Sequence, residues 1–248
     1  MRSNQRALAG TMAGSAVFVV ALGGALAGTA RQGPAGQGVV GLMHAQLGDI
    51  EAVRHSVIRG DLDGLVEPAR ALAESRPLAG LPAQAERYYQ ELRKLAGQAA
   101  SATDIEKAAS TTAAMIDTCG RCHAEAGAKV NLGQEARPAP TPAQASSMGD
   151  HNWAAEVMAM GLLVPSEELW RRGARALAAM PLKPAIADLD QATRSQIAAR
   201  ETRLHELATR AGQTAVAAER AALYGEVLAT CGGCHDLSGR VLGTGLPR

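Results

Sequence analysis

The sequence predicts an all-α chain, built as two tandem antiparallel four-helix bundles. Three observations carry that prediction. The 248 residues are rich in alanine and only 2% aromatic, and a composition poor in aromatic and β-branched side chains favours helices over strands. Amphipathic stretches alternate with glycine, proline and capping residues, which start and stop helices. The same landmarks then recur in the same order in a second stretch, so one helical unit has been duplicated; 248 residues hold two units of about 100–150 each.

The elements follow in order. Arg2 and Arg6 precede an uncharged apolar run from Leu8 to Ala30, with Ala25-Leu26-Ala27 as an A-x-A cleavage candidate. This is the pattern of a secretory signal. The run is also long enough to remain as a membrane anchor if uncleaved. Either outcome expects the bulk of the chain to be soluble on the far side of a membrane, periplasmic or otherwise exported. Residues 1–30 are therefore set apart from the fold.

The first unit covers residues 38–136. Val39–Arg59 is an amphipathic helix stopped by Gly60, and Asp61 offers an N-cap to a short helix ending near Glu74, with Pro68 in its first turn. Arg76-Pro77 to Leu81-Pro82 is a loop. Ala83–Ala99 and Thr103–Ala126 are the next two helices, with Thr103 the candidate cap. Arg137-Pro138-Ala139-Pro140-Thr141-Pro142 begins a Pro-rich, semi-rigid linker over residues 137–145. The second unit, 146–248, repeats the plan. Gly161–Pro165 ends its first helix, and Ser166-Glu167-Glu168 opens the second with acids at the positive end of the dipole. Pro181-Leu182-Lys183-Pro184 is a loop, before helices at about Ile186–Gly212 and Val216–His235. Four helices joined by short loops imply an antiparallel bundle.

The repeat is exact at several landmarks. At an offset of 105, Met43 falls on Met148 and Ala69-Arg70-Ala71-Leu72-Ala73 falls on Ala174-Arg175-Ala176-Leu177-Ala178. At an offset of 112, Thr118-Cys119-Gly120 falls on Thr230-Cys231-Gly232. An insertion between the second and third helices of the second unit accounts for the difference.

All four cysteines lie in two copies of one motif. Cys119-Gly120-Arg121-Cys122-His123 and Cys231-Gly232-Gly233-Cys234-His235 are both C-x-x-C-H. Two thiols at that spacing reach the two vinyl groups on one edge of a haem, and the adjacent histidine is held beneath the iron. The reading is two covalently bound c-type haems, with Cys119, Cys122, Cys231 and Cys234 as thioether residues and His123 and His235 as proximal ligands. A zinc ribbon needs its knuckles about 15–20 residues apart, and these are more than a hundred apart. A redox-active dithiol needs a βαβ context, and ordinary disulfides do not call for a histidine after each pair.

Thirteen residues follow His235, with neither methionine nor histidine among them. A sixth iron ligand is therefore expected upstream, on another helix. A four-helix bundle with C-x-x-C-H on its last helix resembles the class II cytochromes c, the cytochrome c prime family and its low-spin relatives. The likeness covers nearly all of residues 38–248 and makes this chain a tandem dihaem form. In low-spin members a methionine near the start of the first helix binds the iron, so the resemblance implies Met43 and Met148 as distal ligands. His44 and His151 are the alternatives, although they do not superpose: His44 falls on Gly149 and His151 on Gln46. The third option is an open five-coordinate iron, as in cytochrome c prime.

The remaining candidates have ordinary explanations. His55 and His205 stand among polar residues, as surface histidines do. Trp153, Trp170, Tyr88, Tyr89 and Tyr224 are core or haem-packing aromatics rather than redox relays. Arg121 is a candidate for a haem propionate or a solvated arginine. With 25 Lys+Arg against 24 Asp+Glu, the chain has no basic excess to recruit nucleic acid. The expected function is electron transfer between redox partners, a donor and an acceptor, membrane-bound ones included; the resemblance also allows a homodimer. The alternative is a gas-binding or sensing protein with an open distal haem site. Enzymatic activity is not expected, because dihaem peroxidases carry more residues after each motif.

Overall fold

The structure, a computed structural model, describes residues 38–76, 81–130, 148–181 and 189–242, apart from the side chains of Met148 and residues 238–242. The apolar leader at 1–30, the linker at 137–145 and loop residues 77–80 and 182–184 lie outside the described residues. Those described are helical, with eight α-helices and no strand among them.

The first four helices are α1 (Val39–Ile58), α2 (Leu62–Ala73), α3 (Glu86–Ala100) and α4 (Ile105–Glu125). Gly60, at φ +70°, ends α1 in a left-handed conformation that suits a residue without Cβ. The Asp61 side chain accepts from the Gly64 N–H at 2.9 Å and starts α2. That start at Leu62 puts Pro68 inside α2 rather than in its first turn, where it removes one backbone hydrogen bond. Residues 83–85 form a 3₁₀ turn ahead of α3. The cap of α4 is Asp104 rather than Thr103: its carboxylate accepts from the Lys107 N–H at 2.7 Å.

The second four are α5 (Met148–Leu163), α6 (Glu167–Ala179), α7 (Gln191–Gln213) and α8 (Ala217–Leu242). Ser166 caps α6, accepting from the Leu169 N–H at 3.3 Å. The expected start of the next helix near Ile186 lies outside the described residues; the described α7 begins after Asp190, which caps it by accepting from the Thr193 N–H at 2.9 Å. Helix α8 runs past His235 to Leu242. Among the described residues no helix is long and apolar enough to cross a membrane.

Within each set of four, every helix packs against its sequence neighbours and the first also meets the last. The sets join along α4 and α8, one of the two most extensive helix contacts, with α1 also against α8 and α5 against α4. A single apolar core runs through both, from Ile50, Val53 and Val57 to Val227 and Leu228. Arg54 crosses the seam fully buried, paired to Glu51 at 2.6 Å and close to Tyr224. Burial opposes its charge, but Tyr224 and Glu51 hold it firmly protonated. Trp170 and Tyr224, both fully buried, meet edge to face at 6.5 Å. The other three aromatics among the described residues, Trp153, Tyr88 and Tyr89, are buried as well.

Candidate functional site

Both C-x-x-C-H motifs are wholly helical, Cys119–His123 near the end of α4 and Cys231–His235 within α8. Positions i, i+3 and i+4 share a helix face, so in each motif the two thiols and the imidazole point the same way. The glycine after the first cysteine points elsewhere, towards the other set of helices. A Cβ at Gly232 would lie 2.5 Å from the Val57 carbonyl oxygen and 2.6 Å from Ile105 Cγ1. A Cβ at Gly120 would collide with the Leu162 carbonyl oxygen and stand 3.1 Å from its carbon. These are one contact made twice. Val57 and Leu162 are related by the offset of 105, and Gly120 and Gly232 by that of 112. Each motif therefore packs on the last turn of the first helix of the opposite set.

The helix directions follow from the same contacts. Gly225 of α8 lies against Ser110 of α4, and Gly232 against Ile105, so α4 and α8 run antiparallel. Gly120 stands fifteen residues along α4 from Ile105, which at 1.5 Å per residue separates the motifs by roughly 20 Å along the pair. They occupy its opposite ends. Helices α5 and α8 are antiparallel too: the Tyr224 hydroxyl donates to the Ala155 carbonyl at 2.9 Å, while His151 and Asn152, further back on α5, stand with Cys231 and His235.

Burial favours the neutral form of three of the thiols and of the His235 imidazole. None of the four cysteines is in a disulfide. Burial pushes the Cys119 and Cys231 thiols up to about 12, and it raises Cys122 as well. His235 is held below the ordinary histidine value by burial, then by the nearby Arg59. The Nδ1 of His123 stands 2.9 Å from the Leu163 carbonyl. A carbonyl only accepts, so Nδ1 carries the proton and Nε2 keeps its lone pair, the arrangement an iron-ligating histidine needs.

At the second motif the structure contains a cavity of about 240 Å³. Its walls are Cys231, Cys234 and His235 of α8, His151, Asn152 and Ala155 of α5, Arg200, Glu201 and Leu204 of α7, and His55, Ile58 and Arg59 from the end of α1. Both thiols, the motif imidazole and the cationic Arg59 and Arg200 line this hollow beside Glu201, the thioether, iron and propionate partners that one edge of a haem would use. His55 is thus a wall residue, half-buried, not the surface histidine expected of its polar neighbours. His205 is half-buried too, with Nε2 donating to the Met180 carbonyl at 2.9 Å.

The distal candidates separate. His151 is 6% exposed and lines the cavity. His44 is exposed, and Met43 is partly buried in the second turn of α1. The end of α1 and the start of α4 meet at Gly232. Met43 precedes Val57 by fourteen residues and Cys119 follows Ile105 by fourteen, which places Met43 level with the first motif if these two helices run antiparallel. The side chain of Met148 lies outside what is described. Arg121 is engaged by Glu91 at 2.6 Å and Asp117 at 2.9 Å, and it stands over the Tyr88 ring. Among the described residues, no three His, Cys, Asp or Glu side chains converge as they would around a bare metal ion.

No family model, curated protein or solved structure matches this chain. What motif reading missed was the wall that each set of helices lends to the other. His55, Arg59 and the Leu163 carbonyl leave no sequence signal of that role. The buried Gln46 was visible through the repeat, as the residue matching His151.

Proposed function

We propose that this chain is an exported dihaem c-type cytochrome, two class II-like four-helix bundles in tandem, that passes electrons between a donor and an acceptor. The observation that carries the reading is the twofold recurrence of one arrangement: a Cys-x-x-Cys-His on a last helix, its glycine packed on the matching carbonyl of Val57 or Leu162. Bound haem c would supply reversible one-electron chemistry. The chain's residues would do the rest. Cys119 and Cys122, and Cys231 and Cys234, would tether the two rings. His123 and His235 would be the proximal ligands, with the Leu163 carbonyl fixing the His123 tautomer. Motifs at opposite ends of the α4–α8 pair suit a carrier that meets two partners on separate faces.

Expression with a haem-attachment system tests the reading. The expected result is two haems per chain by pyridine haemochrome, with the added mass on the peptides of Cys119–His123 and Cys231–His235 and reversible reduction. A chain that matures without covalent haem overturns it. Rapid carbon monoxide binding at both reduced haems would select the gas-binding alternative.

A further inference from the structure

The two sets differ at one buried position of their first helix, His151 in the second and Gln46 in the first. We infer that His151 is the second axial ligand of the iron at Cys231–His235, while the site at Cys119–His123 has no histidine in that place; the inference rests on the dihaem reading above.

Four observations lead there. His151 lines the cavity beside Cys231, Cys234 and His235, and it comes from α5, the first helix of the same set. It is buried, and its Nδ1 has no hydrogen-bond partner. Its Nε2 stands 3.2 Å from the Met180 carbonyl, which only accepts, so Nε2 carries the proton and Nδ1 the lone pair. Burial keeps the ring neutral, which leaves that lone pair available. A buried histidine on the cavity wall with one ring nitrogen left without a partner has the donor that an iron there would take.

The other imidazole on the cavity is excluded by the same logic. His55 Nε2 lies 3.0 Å from an Arg54 Nη2, and a guanidinium only donates, so the His55 lone pair is already engaged. In the first set the residue matching His151 is Gln46, buried, with its Nε2 also unpartnered. A glutamine amide is a poor ligand for haem iron, and His44 is exposed. The chain therefore holds one bis-histidine haem and one of different ligation. Methionine raises a haem's potential relative to histidine, so the two irons titrate as separate steps.

The test uses the full haem-loaded chain with H151A and H151Q, the latter copying Gln46 and retaining a side chain able to donate to Met180. In both variants half of the haem is expected to change from low-spin to high-spin, to return to low-spin on adding imidazole, and to shift one of two potentials. H151M is expected to keep both haems low-spin and raise one potential. Unchanged spectra and potentials in H151A and H151Q overturn the inference, as does a change only in H55A. Loss of haem mass from the Cys231 peptide of the unmodified chain would sink the dihaem reading itself, a separate outcome.

Discussion

Gly232→Ala tests the packing that builds both sites. In an open stretch of helix, replacing glycine by alanine stabilises by roughly 0.5–1 kcal/mol. Gly48 of α1 is such a position, with nothing within 4 Å of the point where a methyl would stand. At Gly232 the methyl would stand 2.5 Å from the Val57 carbonyl oxygen and 2.6 Å from Ile105 Cγ1, where ordinary contact begins at 3.4 Å. Ile105 has rotamers to adopt; the Val57 carbonyl is backbone in the last turn of α1 and has none, so α1 and α8 must part by nearly an ångström. Overpacking of this kind costs about 1–3 kcal/mol. After the helix-propensity gain the net loss is about 0–2.5 kcal/mol, or a Tm lower by up to about 10 °C at the 2–4 °C per kcal/mol of a chain this size. G48A should move Tm the other way. Thermal unfolding of fully haem-loaded protein, followed by far-ultraviolet circular dichroism, reads both. A G232A protein as stable as G48A would refute the reciprocal packing of motif glycine on opposite helix.

Two further outcomes follow from buried groups. Trp170→Phe removes the Nε1–H that donates to the Ala211 carbonyl at 2.7 Å, one of the carbonyls in the last turn of α7; an orphaned buried acceptor plus the lost ring volume should cost about 2–4 kcal/mol in a denaturant titration, and a loss under 0.5 kcal/mol would show that the bond is not made. The second concerns pH. Burial, then the neighbouring Arg54 charge, holds His55 below the ordinary 6.5, so below that value the unfolded chain binds a proton that the folded chain refuses. Stability is then complete above about pH 6.5 and falls on acidification. Unfolding midpoints at several pH values should show that slope, and H55Q should make it shallower; a protein more stable at pH 5.5 than at 7.5 would contradict the burial.

The helices were legible because their ends carry local chemistry. Gly60, Asp61 and Ser166 act on backbone groups within a few residues, and each does what its type suggests. Thr103 misled because Asp104, the next residue, is a stronger cap and took the position. Pro68 misled because the cap, not the proline, sets where α2 begins. The two C-x-x-C-H spacings are readable along the chain for the same reason, because they are local. The seam is not. That His55 walls a cavity, or that Leu163 faces His123, depends on α1 meeting α8 and α5 meeting α4. Those contacts join segments far apart in sequence, and a polar neighbourhood along the chain says nothing about neighbours across it.

The repeat then explains which residues had to stay alike. Val57 and Leu162 present a carbonyl to a motif glycine in closest contact, and a side chain on either glycine breaks the fit. The cavity lining carries no such demand. At the matching places His151 stands against Gln46, His55 against Met160 and Arg59 against Val164. The end of α1 therefore gives the second motif's cavity the cation Arg59, where the matching residue of α5 is Val164. A positive charge beside an iron favours its reduced form, opposing what a second histidine does. On the proposed dihaem reading, Arg59→Met with His151 intact should thus lower the potential at Cys231–His235 and leave the spectrum low-spin. A shift at the haem of Cys119 instead would place Arg59 on the wrong side of the seam.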